Sequence, residues 1–418
     1  MLLKTLLNRL YKFKSFVYGD ARLVEGELGL EIEISIESRR NGQPICSSCG
    51  YKGAGCYDHQ PTRRYEFIPL WGMQVFFVYS PRRVNCPCCG VKVERVPWAE
   101  GKNQATTPYK LFLSHWARKL SWQEVATEFR TTWQQVFRAI EYVVEWGLKH
   151  RELTGVTAIG VDEILIHRGH HYATLVYQLD LNCRRLLWVG KDRKAKTLLR
   201  FFRMFGPERN SKIEYVCSDM WQAYLKVIKK KIPQAVHILD RFHIVANLNK
   251  ALNKVRAEES KRLERDGYEP VLKGSRWCFL KRAENLTDKQ NHTLKELMKI
   301  NLRSVRAYLL KEEFHQFWKY TSPVWAEKFL DAWSTRVMRS QIEPIKQQAR
   351  SIRKHKELIL NWFRAKKMFN SGIVEGLNCK AKLTMRKAYG FRTFEALQIA
   401  LYHQLGALPE PQMAHRFW

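Results

Sequence analysis

A carboxylate in the middle of an apolar strand is the feature that most narrows what this chain can become. Thr157-Ala158-Ile159-Gly160-Val161-Asp162-Glu163-Ile164-Leu165-Ile166 has the apolar, β-branched character of a buried strand, yet carries two acids at its centre. Burying a carboxylate is costly unless it is paired or bound to metal. The pattern returns downstream. Ile213-Glu214-Tyr215-Val216-Cys217-Ser218-Asp219 reads as a strand ending in an acid, and Ala235-Val236-His237-Ile238-Leu239-Asp240 reads as another. The stretches 170–177 and 185–189 read as further strands, and helices are predicted at 194–205 and 220–231.

Three strands, a helix, a strand, a helix and a strand is the order of the ribonuclease H-like fold. In that fold one acid sits on the first strand and another at the end of the fourth. A third acid is expected from a later helix. Ser371-Gly372-Ile373-Val374-Glu375-Gly376-Leu377-Asn378 opens one, with Ser371 as its cap. Glu375, Asn378, Cys379, Lys382 and Arg386 fall on one face of that helix. A face that begins with a carboxylate and ends with two cations suits a helix that completes a metal site and then grips a phosphate backbone. Phosphoryl transfer uses two divalent ions about 3.5–4 Å apart, one side activating the attacking oxygen and the other stabilising the leaving oxygen. Hard ions such as Mg²⁺ favour carboxylate oxygens and water. Periodicity does not choose Asp162 over Glu163, nor does it exclude Asp240. Taken singly, each acid is equally at home at a surface or a strand end; the ordered set carries the argument.

Charge points to the partner. Lys and Arg total 72 against 40 Asp and Glu, a formal net charge of +32. So basic a chain repels itself unless a polyanion neutralises it, and nucleic acid is the usual one. The charge is unevenly spread: residues 241–370, read as helical, hold 29 Lys and Arg against 14 Asp and Glu. A mixed-sign surface would solvate those helices equally well, so the excess favours DNA contact. A membrane surface is the competing polyanion, but no apolar run approaches the ~20 residues needed to span a bilayer. The N-terminal stretch MLLKTLLNRLYKFKSF is basic and amphipathic, its apolar run broken too early for an export signal. It is read as a helix or arm. A cytosolic location is expected, where the ten cysteines are thiols or metal ligands rather than disulfides.

Four of those cysteines have ligand spacing. Cys46-Ser47-Ser48-Cys49-Gly50 is one CxxC knuckle, and Cys86 and Cys89 of Cys86-Pro87-Cys88-Cys89-Gly90 make a second. Each turns tightly enough to present two thiolates to one ion, and the glycine that follows permits a left-handed turn. Together they predict one tetrahedral four-sulfur Zn²⁺ site at Cys46, Cys49, Cys86 and Cys89. The intervening stretch, RRYEFIPLWGMQVFFVYSPRRV, reads as a β-hairpin that brings the knuckles together. Cys56 and Cys88 are spare, and Cys88 is the alternative ligand in the crowded second knuckle.

Between 101 and 150 two helix starts follow in quick succession. Ser121 and Glu124 form a capping box, the helix fails near Arg130, and Thr132 opens a second helix with Val136, Ile140 and Val144 as its apolar stripe. Two capped helices across a short break fit a helix-turn-helix, or else an ordinary helical hairpin. Trp133, Gln134 and Arg138 lie near the start of the second helix, off the stripe, where they would meet base edges or phosphates.

Over nearly its whole length the chain resembles the DDE transposases of bacterial insertion sequences, specifically the ISL3 family. The resemblance is carried by the CxxC pairs, LSWQEVA, AIGVDEI, CSDMWQAY, LDRFHIVANLN and SGIVEGLNCKAKLTMRKAYGFR, the last two stretches being the most specific. It implies Asp162, Asp219 and Glu375 as a triad binding two Mg²⁺ or Mn²⁺ ions, and a helical insertion between the second and third acids. Asp240-Arg241-Phe242-His243 looks like the D-x-x-H element that accompanies the triad in several transposase groups, with His243 supporting the site, contacting DNA or serving the fold.

The expected organisation is therefore multidomain α/β. A basic arm and strand (1–40) precede a zinc module (41–100) and a helix-turn-helix domain (101–150). The first part of a ribonuclease H-like catalytic domain (155–245) is followed by an all-helical insertion (246–368), and the catalytic domain resumes with the Glu375 helix (369–418). The expected activity is metal-dependent cleavage and transfer of DNA strands, on terminal inverted repeats and target DNA, by a homodimer or higher assembly. The rival readings are a DNA-binding regulator without catalysis and a ribonuclease H-like resolvase. The intact acid set opposes the first; the zinc module with helix-turn-helix, suited to fixed end sequences, opposes the second.

Overall fold

The computed structural model describes residues 3–27, 29–101, 103–167, 169, 171–367 and 371–411, without the side chain of Ser371. His170, expected to open the second acid-domain strand, and the Ser371 cap lie outside that set. The chain divides into two compact units, Met1–Glu152 with Leu383–Trp418, and Leu153–Lys382. No helix among the described residues is long and apolar enough to cross a membrane.

Among the described residues the first unit has strands β1 (Phe16–Gly26), β2 (Gly29–Ser38), β3 (Gly55–His59), β4 (Arg63–Leu70), β5 (Met73–Tyr79), β6 (Arg82–Cys86) and β7 (Gly90–Val93). Alternation sets the faces of the larger sheet, ordered β1-β2-β5-β4. Ile32, Ile34 and Ile36 of β2 point to the same side as Tyr65, Phe67, Val75 and Phe77, all buried. Trp98 lies 1% exposed against Phe16, Tyr65 and Tyr79, with ring centroids 5.0–5.9 Å away. The β4–β5 hairpin turns at Trp71 and Gly72, both with positive φ, as a two-residue hairpin requires. β3, β6 and β7 form a smaller sheet. A buried ion pair, Arg82 to Glu94 at 2.7 Å, with Tyr79 donating to the same carboxylate at 2.5 Å, ties the two sheets.

The expected boundary at residue 40 is therefore no break in the structure. β2 pairs in parallel with β5, from Glu31 opposite Gln74 to Ser35 opposite Val78. A lone amphipathic hairpin cannot bury its isoleucines, and the β4–β5 hairpin supplies the missing apolar face.

Three helices complete this stretch: Thr107–Lys119, Trp122–Glu128 and Trp133–His150. Ser121 and Glu124 form the capping box, Thr132 caps the third helix, and Val136, Ile140 and Val144 are buried. The C-terminal stretch departs from expectation. It holds two helices, Ser371–Lys387 and Phe394–Leu405, and residues from Leu383 onward belong to the first unit rather than to the acid-bearing one. A buried contact within the first unit joins His403 Nε2 to Ser114 Oγ at 2.9 Å; burial pushes the His403 imidazole down to about 3, so it stays neutral. Gly147 leaves room for Leu408, which a Cβ there would meet at 2.7 Å.

The second unit is built on β8 (Ala158–His167), β9 (His171–Gln178), β10 (Arg185–Lys191), β11 (Tyr215–Ser218) and β12 (Val236–Leu239), in the order β10-β9-β8-β11-β12. β8, β9 and β10 are antiparallel; β11 lies parallel to both β8 and β12. Helices Ala195–Phe205 and Gln222–Lys231 make the crossovers, and Phe201, Phe202 and Tyr224 are buried in the core they share with the sheet. The helical segment starts directly at Arg241, capped by Asp240, and clusters with the sheet rather than apart from it. Its own core gathers Phe314, Phe317, Ala326 and Trp333. Asn361 fastens it to the sheet by donating to the His237 carbonyl at 2.8 Å.

Helix Ser371–Lys387 reaches the sheet at Gly160, where an added Cβ would meet Val374 Cγ2 at 2.8 Å and Leu179 Cδ1 at 3.1 Å. Glycine on β8 is what lets the helix come this close. Gly160→Val should therefore displace the helix at a cost of about 1–3 kcal/mol. Hydrogen exchange checks it: amides in 371–382 should lose protection while those of β8–β12 keep theirs, and unchanged protection in 371–382 would contradict the contact.

Candidate active site and metal centre

Three acids converge on three neighbouring strands, one from the middle of a strand and two from just past strand ends. Asp162, Asp219 and Asp240 line one pocket together with Val161, Cys217, Ser218, Ile238, Leu239, Arg241, Trp362 and Val374. Asp162 stands on β8, Asp219 immediately follows β11, and Asp240 immediately follows β12. Parallel pairing of β8 with β11 and of β11 with β12 sends the three acids to the same edge.

Asp162 is the most constrained. Its Oδ1 accepts the Glu163 backbone N–H at 2.8 Å and lies 3.9 Å from His243 Nε2. Its Oδ2 accepts from Asn378 Nδ2 at 2.5 Å, and Asn378 Oδ1 accepts in turn from the buried Tyr177 hydroxyl at 2.8 Å. Burial, opposed by the Glu163 N–H and by His243 and helped by the charges of Asp240 and Asp219, pushes the Asp162 carboxyl up to about 6. Asp219 is raised chiefly by burial as well, although its Oδ1 accepts the Trp221 N–H at 2.9 Å. Asp240 Oδ1 accepts the Phe242 N–H at 2.7 Å, and its Oδ2 is 3.7 Å from His243 Nε2. His243 thus lies between Asp162 and Asp240. Glu163 turns aside to Arg193, 3.1 Å away, and burial lifts its carboxyl to about 7.

Glu375 is exposed on helix Ser371–Lys387, next to the pocket-lining Val374 and one turn before Asn378. Asn378 is a correction. Expected on the outer face as a DNA contact, it is 6% exposed, on the buried side with Val374, Leu377 and Ala381, and its amide is spent on Asp162 and Tyr177. Cys379, Lys382 and Arg386 are exposed. Tyr177 and Arg193 escaped sequence reasoning: an alternating strand does not reveal which of its tyrosines carries a useful hydroxyl, and Arg193 sits in a loop without periodicity.

In the first unit the Sγ atoms of Cys46, Cys49, Cys86 and Cys89 all lie within 4.8 Å of one another. Cys88 and Cys56 are exposed and outside the quartet. The knuckles close as their glycines require, Gly50 with φ +76° and Gly90 with φ +66°. Backbone N–H of Cys49 is the main influence holding the Cys46 thiol down to about 7. The apolar core here is Ala54 and Val84 with the cysteines themselves, too little to hold a fold unaided. Four converging thiols are the donor set of a structural zinc. Trp133, Gln134 and Arg138 stand exposed on the first two turns of helix Trp133–His150.

A family model described as Transposase, that of the ISL3-type DDE enzymes, matches residues 159–401. The chain is 30% identical over 356 residues to the transposase for insertion sequence element IS1001 of Bordetella parapertussis, covering 84% of this chain and 86% of that one. It is also 30% identical over 378 residues to the transposase for IS1557 of Mycobacterium tuberculosis, covering 84% of this chain and 83% of that one. The acids and the Glu375 helix fall inside the matched span, and the chain belongs to the ISL3 family of DDE transposases.

Proposed function

We propose that this transposase binds the ends of its insertion sequence and performs metal-dependent strand cleavage and strand transfer at Asp162, Asp219 and Glu375. The observation that carries the reading is the pocket shared by Asp162 and Asp219, onto which the helix bearing Glu375 is fastened by Asn378. The strand order β10-β9-β8-β11-β12, antiparallel on one side and parallel on the other, supports a ribonuclease H-like assignment.

The carboxylates of Asp162 and Asp219, which share the pocket, are the hard oxygen donors a divalent cation takes, and Glu375 would have to join them from its exposed place on the helix. Carboxylates crowd one another under burial that raises Asp162 and Asp219, and Mg²⁺ or Mn²⁺ relieves such crowding. A bound pair of ions supplies charge neutralisation at the phosphate and activation of the attacking oxygen. The chain's own part is orientation. Glu163 N–H and Asn378 hold the Asp162 carboxylate in one pose, the Trp221 N–H holds that of Asp219, and His243 positions Asp162 and Asp240 relative to each other. Exposed Lys382 and Arg386 continue the Glu375 helix as phosphate contacts, while Trp133, Gln134 and Arg138 read the element end from a helix-turn-helix. Pairing of two ends requires a dimer or larger assembly on double-stranded DNA in the bacterial cytoplasm. The cysteine quartet holds one Zn²⁺.

Asp162→Asn, Asp219→Asn and Glu375→Gln should each lower cleavage and joining of a labelled end about a thousandfold or more, ~4 kcal/mol of lost transition-state stabilisation, with end binding nearly intact. Glu163→Gln should keep substantial activity, and Asp240→Asn should be impaired without loss of metal binding. Substantial activity in a triad variant removes that residue from the triad.

Elemental analysis should find about one zinc per chain, lost in Cys49→Ser and kept in Cys88→Ser. Zinc retained in Cys49→Ser would exclude the quartet. Arg138→Ala should reduce the preference for element ends over random DNA about ten- to a hundredfold, as loss of one base-reading side chain does. Equal loss on both DNAs in a gel-shift titration would make it a phosphate contact instead.

A further inference from the structure

Two aromatic residues stand directly beyond the acids. Asp219 and Asp240 leave the neighbouring parallel strands β11 and β12, which are in register at Ser218 and Leu239. Each aspartate bends the chain in the same way, its Oδ1 accepting the N–H two residues on, from Trp221 at 2.9 Å and from Phe242 at 2.7 Å. The residue so placed is a large aromatic both times, and both are exposed, Trp221 by 39% and Phe242 by 53%.

Trp221 is exposed but fixed. Its Nε1 donates to the Arg193 carbonyl at 3.3 Å, and the Arg193 guanidinium lies 4.2 Å from its ring centroid. That guanidinium also lies 4.8 Å from the Tyr172 ring and 3.1 Å from Glu163 Oε1. An indole held in one orientation, with a cation against it and a carboxylate pocket beside it, suits a flat π-faced partner attached to a phosphate. A nucleobase is such a partner, and base–aromatic stacking tolerates any base. Bases inside a duplex have no free face, so the base must leave the helix.

We propose that Trp221 and Phe242 receive an unpaired nucleobase beside the phosphodiester cleaved at the acid site, so that the duplex is opened where the strand is cut. This rests on the strand-cleavage reading above.

The test uses the full-length protein, Mg²⁺ and labelled duplexes carrying the terminal repeats of its element, with the nucleotides flanking the cleaved bond either paired or unpaired opposite. On paired DNA, Trp221→Ala and Phe242→Ala should each cleave about ten- to a hundredfold more slowly than the unaltered protein, and Trp221→Phe, which keeps a ring, should lie near it. On DNA already unpaired at the site, the alanine variants should recover most of that loss, which no damage to the fold would do. Variants that cut paired DNA at full rate, or that are equally slow on both DNAs, would overturn the stacking role while leaving the cleavage reading intact. Absence of cleavage by the unaltered protein on either DNA would instead overturn the cleavage reading, and the stacking role with it.

Discussion

The amide of Asn378 holds together what the acid site needs. One end accepts the Tyr177 hydroxyl from β9, and the other donates to Asp162 on β8. A buried amide is strongly favoured to fill its hydrogen bonds, and this one can do so only when helix Ser371–Lys387 lies in one rotation and at one height on the sheet. Glu375 is then carried one turn away on the same rigid element. Gly160 removes the steric obstacle and Asn378 supplies the directional contact, so helix position is set by packing and hydrogen bonding jointly. Asn378 and Asp162 are far apart in sequence, so this bond, rather than sequence proximity, sets where the helix lies on the sheet.

The helical segment follows the same economy of anchors. It leaves the sheet without a linker, since Asp240 both lines the pocket and caps helix Arg241–Arg265. Further along that helix, Glu259 is 3% exposed and accepts the backbone N–H groups of Arg303 and Ser304 together with the Ser304 hydroxyl. A buried carboxylate at a helix start satisfies donors that have no partner within the helix and faces the favourable end of its dipole. Asn361 closes the circuit back to β12. A body carrying much of the positive charge is thus built as an extension of the sheet.

Much of this was legible in the residues because it depends on local chemistry. Acids that interrupt or end apolar runs marked β8, β11 and β12; CxxC spacing marked the four cysteines that converge; Ser121 and Thr132 marked helix starts through caps that the structure contains. What escaped was decided by distant partners. The parallel pairing of β2 with β5 depends on which apolar face is available to Ile32, Ile34 and Ile36. Helical offsets placed Asn378 on the face of Glu375, but the inward or outward sense of that face depends on Tyr177, some two hundred positions earlier. The same holds for His403, whose partner Ser114 lies in helix Thr107–Lys119 of the first unit.

That last contact bears on how the protein is made. Helices Thr107–Lys119 and Trp133–His150 leave the ribosome before the acid-bearing unit, and the residues that meet Ser114 and Gly147, His403 and Leu408, leave it after that unit. During vectorial synthesis a domain folds when its own parts have emerged. The first unit must therefore wait, with an apolar flank uncovered, while the whole acid-bearing unit is translated. An interrupted message yields chains in which helices Thr107–Lys119 and Trp133–His150 lack this backing, so the order of synthesis itself couples completion of the first unit to completion of the acid-bearing one.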